Sequence, residues 1–122
     1  MGTLKSPVVG TELKIKVGLK VGGTDWKDLP EDSPFTLYFY TGKGEEVAVQ
    51  GTAPSDINDD DNTFLAIVDT EHTGAGNLQM KIVIDVADQD MAFELVNPEN
   101  DDSAGYRREV AVYNTGVKIY DA

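Results

Sequence analysis

The residues best suited to chemistry lie between Asp56 and Asn62, where six of seven side chains carry a carboxylate or a carboxamide. Calcium binds several such oxygen ligands from one tight loop, so this segment is a candidate metal site. Asp56, Asn58 and Asp60 match the first, third and fifth positions of an EF-hand loop. The sixth position is not glycine and the twelfth, Ile67, is not glutamate, so the sharp turn and the bidentate ligand are missing. We therefore predict a solvated acidic loop and no metal.

Nucleophilic catalysis is the second chemistry to consider, and the chain offers little for it. It contains one histidine, His72, in a segment with the composition of an exposed turn, and no cysteine. The four serines fall in predicted loops or near the N-terminus, outside the strand–turn–helix context of a nucleophile elbow. Gly74 and Gly76 precede a strand and not a helix, so they do not form a phosphate site. We predict no catalytic residue and no cofactor, and we expect the chain not to be an enzyme.

Aromatic side chains offer a third possibility, the binding of carbohydrate. Tyr38 and Tyr40 share one face of a predicted strand, opposite Phe35, Leu37 and Phe39. If the phenylalanine face is the core, the two tyrosines line an outer face and, with Trp26 from a predicted loop, form a platform for a sugar. The alternatives are ordinary sheet-surface tyrosines, which the sequence favours, or tyrosines packed under a neighbouring subunit.

Lysines form a stripe in the first twenty residues, where four lysines face one glutamate, a local charge of +3. The segment 85–102 has the opposite character, with seven acids and no base. Lysines on an edge strand discourage strand-to-strand aggregation, and they are also suited to meet the acidic end of another copy. The candidate interface residues are therefore Lys14, Lys16, Lys20, Tyr38 and Tyr40.

The net charge of −12 makes nucleic acid and anionic membranes unfavourable partners, because a field of that sign repels phosphates. The N-terminus has no hydrophobic segment typical of a signal peptide, and no stretch is long and apolar enough for a membrane span. The sequence therefore predicts a soluble chain whose partners are other proteins, including further copies of itself.

The elements that must position these residues are strands, because apolar and polar residues alternate with a period of two along most of the chain. Residues 13–21 and 78–86 alternate most clearly, and their two apolar rows are expected to face one core. The segment 63–69 is predicted to be a strand buried on both faces, whereas 91–96 is a weaker strand. Residues 108–120 are predicted to form two short strands separated by 114–116. Further strands are predicted at 35–40 and 47–49, joined through the hairpin loop 41–44.

These strands predict an all-β fold, a two-layer antiparallel β-sandwich that is immunoglobulin-like in broad shape. The cysteine pair and the core tryptophan of antibody domains are not expected, since Trp26 is predicted to lie in a loop. Residues 1–10 are predicted to be a flexible N-terminal arm, and 11–122 a single domain.

The order of these segments resembles the small immunoglobulin-like proteins of phage and prophage tails, in particular the N-terminal domain of baseplate upper proteins. The similar pieces are the strand from Leu13 to Val17, Gly23 to Trp26 before the aromatic strand, Gly74 to Leu78 before the long strand, and the closing segment from Asn114 to Ile119. The resemblance implies a non-catalytic structural or adaptor role in a tail or baseplate, through protein–protein contacts, in the virion or the host cytoplasm. The alternative is a carbohydrate-binding or adhesion-type β-sandwich.

Overall fold

A computed structural model describes residues 7–88 and 105–121 and confirms the all-β prediction. The strands are β1 (Glu12–Gly18), β2 (Lys20–Val21), β3 (Thr24–Asp25), β4 (Ser33–Tyr40), β5 (Val47–Ala53), β6 (Thr63–Asp69), β7 (Gly76–Asp88) and β8 (Gly105–Ile119). A 3₁₀-helix (Trp26–Asp28) follows β3, and a one-turn helix α1 (Thr70–Thr73) joins β6 to β7. Neither is long and apolar enough to cross a membrane, and the same holds throughout the described part of the chain.

The strands form antiparallel sheets that pack against each other as a β-sandwich. One layer is a four-stranded sheet in the order β5-β4-β7-β8, and the other contains the pairs β1-β6 and β2-β3. The predicted hairpin joins β4 to β5, with Tyr38 paired to Ala48. Because β1 pairs only with β6 among the described strands, it is an edge strand, as its lysines suggest.

The core lies between the layers and contains both predicted apolar rows. Leu78, Ile82 and Ile84 of β7 are at most 3 % exposed, and they belong to one cluster with Val17 and Val21 of the opposite layer. The phenylalanine face of β4 is also buried, so its two tyrosines point outward as predicted. Burial of these rows is the main source of stability, at roughly 25 cal/mol for each Å² of apolar surface removed from water.

The prediction that Trp26 lies in a loop outside the core was wrong. Its side chain is fully buried in the short 3₁₀-helix, and its ring centroid lies 5.0 Å from that of Phe35 and 6.2 Å from that of Phe64. Phe35 and Phe64 in turn meet edge to face at 5.0 Å. The glycines before Trp26 and the prolines after it are typical of an exposed loop, yet the side chain of Trp26 packs in the core.

The prediction that 63–69 is buried on both faces was also wrong, because β6 alternates. Ala66 and Val68 are fully buried, whereas Leu65 is 50 % and Ile67 is 49 % exposed. The reason is that only one face of the β1-β6 pair is covered by another layer. A continuous apolar run is typical of a strand covered on both sides, and here the outer cover is absent among the described residues.

The segment 108–120 was predicted as two short strands, but residues 108–119 belong to one continuous strand, β8, that contains an irregularity, and Tyr120 follows it as an isolated bridge. Gln79 pairs with Asn114, but Asn77 pairs with Lys118, so the three residues 115–117 of β8 stand opposite Leu78 alone and two of them are extra in the ladder. Thr115 donates from its hydroxyl to the Leu78 carbonyl at 2.8 Å, which fixes the irregularity to β7.

Part of the predicted N-terminal arm is attached to the sandwich. Val8 forms a parallel bridge with Tyr120, and the Gly10 amide donates to the Thr70 hydroxyl at 3.0 Å. Residues 1–6, the rest of the arm, and 91–96, the predicted weak strand, lie outside the described residues.

Candidate interaction face

His72 lies at the surface, and the described acids do not gather around it into a metal site. His72 lies on α1 with a 62 % exposed side chain, and its Nε2 is 3.6 Å from Asp69 Oδ2, its neighbour one turn away. Within residues 7–88 and 105–121, no three side chains among histidines and acids are grouped so as to hold a metal ion.

Three side chains of the acidic loop, Asp56, Asn58 and Asp61, accept hydrogen bonds from groups within or beside the loop. Asp56 Oδ2 accepts from the Thr52 amide at 2.8 Å, and Asn58 Oδ1 accepts from the Asp60 amide at 2.9 Å. Asp61 accepts from the Thr63 hydroxyl at 2.6 Å, and this bond, with Lys16 nearby, lowers the pKa of Asp61. These oxygens therefore stabilise the loop, and they do not converge on a common point.

The largest candidate surface is the outer face of the four-stranded sheet, on the side away from the core. Paired residues of antiparallel strands share a face, so the register assigns its members. One row runs across all four strands as Ala48, Tyr38, Lys81 and Val112, and the next as Gln50, Thr36, Val83 and Val110. Towards the ends lie Tyr40, Asn77, Gln79, Asp85, Tyr106, Arg108, Asn114 and Lys118.

Two exposed valines on β8, the edge strand of the four-stranded sheet, make one margin of this outer face apolar. Val110 is 56 % and Val112 is 58 % exposed, although valine is usually buried. Their position follows from pairing, since Ala111 lies opposite buried Ile82 and Val110 lies opposite outward-facing Val83. The strand thus turns its small alanine to the core and its branched side chains outward.

The charges on the outer face are mostly positive. Lys81, Arg108 and Lys118 are the cations and Asp85 is the only acid among its strand residues, so the face carries +2. Arg108 binds Asp85 through two bonds, Nε to Oδ1 at 2.7 Å and Nη2 to Oδ2 at 2.9 Å. This pair lowers the pKa of the carboxyl and raises that of the guanidinium.

The two predicted interface tyrosines both belong to the outer face. Tyr38 and Tyr40 are half-buried, and the Lys81 ammonium lies 5.4 Å from the centroid of the Tyr38 ring. This cation covers one side of the ring, so that side is already in a cation–π contact. Trp26 lies in the core and does not join these tyrosines, so the three aromatics do not form a platform.

The three predicted interface lysines lie in the other layer. Lys16 is 3.6 Å from Asp61, and Lys20 of β2 is 3.9 Å from Asp25. Lys14 has no ion pair within the described residues and projects beside exposed Ile67, near the end of β1 where Glu12 pairs with Asp69. Neighbouring carboxylates therefore offset much of the positive charge that the sequence places in this stripe.

Sequence analysis did not identify Val83, Val110, Val112 and Lys81 as surface residues. The alternation of Glu109, Ala111 and Tyr113 with the two valines was visible, but it suggests valines that face the core. Only the pairing with β7 shows the opposite orientation. A comparison with protein-family models, curated proteins and solved structures found no match.

Proposed function

We propose that this chain is a non-catalytic structural or adaptor protein that acts through protein–protein contacts made by the outer face of its four-stranded sheet. The observation that carries the proposal is the pair of exposed valines, Val110 and Val112, on β8, the edge strand of this face. Apolar surface surrounded by polar and charged groups is typical of protein contact sites.

The composition of the outer face supports the same function. Tyrosine and arginine are enriched at interfaces, and Tyr38, Tyr106 and Arg108 lie on the same face as the valines. The bidentate bond to Asp85 holds Arg108 in place, so less side-chain entropy is lost when a partner covers it. A rigid sheet presents this surface without rearrangement.

The setting we propose is a phage or prophage tail or baseplate, with an immunoglobulin-like domain as the contact module. It rests on the resemblance of the segments from Leu13 to Ile119, and a non-catalytic β-sandwich with an apolar outer face is compatible with it. A subunit of this kind assembles through repeated contacts and needs no cofactor.

The test is incorporation into particles made in the cell that carries the gene. Particles are induced and purified, and the chain is quantified in them by mass spectrometry. We expect a fixed ratio to the other tail proteins, and we expect Val110→Asp/Val112→Asp to remain folded but be lost from the particle. Leu65→Asp/Ile67→Asp is the matched control, because Leu65 and Ile67 are aliphatic side chains exposed to a similar degree on the other layer. Absence of the wild-type chain from the particles would contradict the proposed setting.

The carbohydrate-binding alternative loses its most suitable side chain, because Trp26 is fully buried. The fluorescence of Trp26, the single tryptophan, provides the test. We expect blue-shifted emission that acrylamide quenches weakly and that oligosaccharides leave unchanged. Saturable binding on a glycan array that is lost in Tyr38→Ala/Tyr40→Ala would favour the alternative instead.

A further inference from the structure

Strand β8 has one edge that no described strand covers. It is the last strand of the sheet β5-β4-β7-β8, so only its β7 side is paired within that sheet. In an antiparallel ladder, successive residues direct their amide and carbonyl groups alternately to one side of the strand and to the other. Every second residue of β8 therefore presents a donor and an acceptor to the open edge, where they can bind another strand.

Two hydrogen bonds of β7 identify these residues. The Leu78 carbonyl accepts from the Thr115 hydroxyl on the β8 side, and the Ala87 amide donates to the Ser33 hydroxyl on the β4 side. Even-numbered residues of β7 thus face β8, and the register pairs them with odd-numbered residues of β8. The even-numbered residues in 106–114 therefore direct their amides and carbonyls to the open edge, where no described residue bonds them.

The C-terminal end of this edge already holds a short piece of strand. The Tyr120 amide donates to the Pro7 carbonyl at 2.9 Å, and the Tyr120 carbonyl accepts from the Val9 amide at 2.9 Å. The irregularity at 115–117 separates this bridge from the rest of the edge. Residues 106–114 are thus the open part of an edge that binds a strand at its other end.

The open part lacks the features that usually prevent pairing between edge strands. Residues 106–114 contain no proline and no lysine, whereas the edge strand β1 carries lysines. The charged side chains of the open part are bound within the molecule. Arg108 binds Asp85 through two hydrogen bonds, and Arg107 lies 3.4 Å from Glu109. An approaching strand would therefore meet few free charges.

We propose that the open edge of β8 pairs antiparallel with the same edge of a second copy, about a two-fold axis at Ala111. This inference rests on the proposed function, because it names a second copy as the partner of the margin that carries Val110 and Val112. The two four-stranded sheets then continue into one sheet of eight strands. The contact is isologous, so it closes a dimer.

The side chains that this axis brings together are compatible with each other. Val110 of one copy lies opposite Val112 of the other, and the same pair repeats across the axis. Arg108 lies opposite the uncharged Asn114, and the small Ala111 meets its own copy. The valines of both copies thereby form one apolar group at the centre of the joined outer face.

Other positions of the axis are less favourable. An axis at Glu109 or at Arg108 places two like charges directly opposite each other. An axis at Val110 places a charged Arg108 opposite Val112. An axis at Val112 extends the paired segment into the irregularity at 115–117, where the strand is no longer regular.

A buried oxygen gains a hydrogen-bond donor in the proposed register. Glu109 Oε2 is buried and accepts no hydrogen bond from a described residue, although the Arg107 guanidinium lies 3.4 Å away. A buried acceptor without a hydrogen bond is costly. Tyr113 of the second copy lies opposite Glu109 on the same face of the sheet, and Tyr113 is 40 % exposed in the single chain. Its hydroxyl is a suitable donor to this oxygen.

The first experiment is sedimentation velocity of the full chain with two proline variants, each verified as folded by circular dichroism. Val112→Pro removes an amide that points to the open edge, and the two-fold axis doubles this loss. We therefore expect a wild-type dimer and a monomeric variant. Tyr106→Pro is the matched control, because its amide points to the same edge outside the paired residues 108–114, and it should remain a dimer.

Salt distinguishes this contact from one made by opposite charges. Each copy carries a net charge of −12, so two copies repel each other, and salt screens the repulsion. We expect the dimer to persist or become tighter at high salt. A dimer that dissociates at high salt, or one that is lost in Tyr106→Pro, would overturn the proposal.

The second experiment measures the register by disulfide crosslinking, and it needs no proline variant. The chain has no cysteine of its own. An equimolar mixture of the Val110→Cys and Val112→Cys chains should crosslink several-fold more than either chain alone. Only the mixture places the two cysteines in one directly opposite pair, with Cα atoms about 5.5 Å apart. Greater crosslinking of Val110→Cys with itself would move the axis and overturn the register.

A wild-type chain that sediments as a monomer at high concentration would exclude the second copy as partner. Incorporation of that monomeric chain into particles would leave the proposed function intact with a different protein as partner. A dimer with the expected crosslinks that is absent from particles would support the pairing and contradict the proposed setting. The two proposals can therefore fail separately.

Discussion

Trp26 donates a hydrogen bond from its indole Nε1 to the main-chain carbonyl oxygen of Asn62 at 3.0 Å. Asn62 also binds the same region through its side chain, since Oδ1 accepts from the Lys27 amide at 3.0 Å and Nδ2 donates to the Leu19 carbonyl at 3.2 Å. The residue has a φ of 57°, a left-handed conformation that asparagine tolerates better than most residues. Asn62 thus connects the acidic loop to the helix that holds the core tryptophan.

Replacement of Asn62 should therefore destabilise the fold in a graded way. Asn62→Ala loses both side-chain hydrogen bonds and puts alanine, which tolerates the left-handed region less well than asparagine, at this φ, so we expect a loss of about 2–4 kcal/mol in the free energy of unfolding. Asn62→Gly loses the same hydrogen bonds without that strain and should be more stable than the alanine variant by about 1 kcal/mol. Urea denaturation measures the free energy of unfolding of each variant. Equal stability of the two variants would show that the backbone conformation contributes nothing.

Gly51 should not accept a side chain, because a Cβ there would lie 2.5 Å from Cζ of buried Phe35. Gly51→Ala is expected to cost about 1–3 kcal/mol, since the ring must move within a packed core. Gly18→Ala is the matched control, with its nearest contact at 3.4 Å, and should change stability by less than about 1 kcal/mol. In a Phe35→Leu background the cost of Gly51→Ala should shrink, and an unchanged cost would exclude the ring as its cause.

The Asp85–Arg108 pair should make a small contribution to stability that depends on pH. Hydrogen bonding by Arg108 lowers the pKa of Asp85 below its ordinary value of 3.8. A carboxyl whose pKa is depressed by folding stabilises the folded state above its unfolded pKa, and this stabilisation disappears as the pH falls through the folded pKa. Asp85→Asn should thus lower the melting temperature by about 1–3 °C near neutral pH.

The wild-type chain and Asp85→Asn should have the same melting temperature well below pH 3.8, where Asp85 is protonated. Scanning calorimetry across this range gives the comparison, with Asp88→Asn as a variant of a nearby acid on the same strand. A difference that persists unchanged into acid would mean that the asparagine acts through packing and not through the lost charge.

Calcium should have little effect on stability, because Asp56, Asn58 and Asp61 already accept hydrogen bonds within or beside the loop, and no three acids are grouped for a metal ion among the described residues. We expect millimolar calcium to raise the melting temperature by no more than about a degree, as a site that is hardly occupied contributes little. Magnesium at the same concentration is the control for ionic strength. A saturable increase specific to calcium that vanishes in Asp60→Ala would contradict the prediction.

The strands with one buried face were predictable because their alternation reflects that burial directly. Leu13 to Val17 and Leu78 to Val86 show it, and both rows lie in the core. The aromatic strand was equally informative, since the phenylalanines and tyrosines separate onto opposite faces. Residues at joints were harder to predict, as the context of Trp26, with a glycine pair before it and prolines after it, suggests an exposed loop.

The sequence alone determined the fold class, the β4–β5 hairpin and the orientation of Tyr38 and Tyr40, because local alternation and turn chemistry act over a few residues. Tertiary structure decided which apolar residues stay exposed and which charges are offset. Leu65 is exposed because no described layer covers β6, and Val110 because β8 takes its orientation from β7. Lys16 meets Asp61 only once the chain has folded. Each of these properties depends on a partner distant in sequence, and a period along one strand contains no information about the strand that will lie beside it.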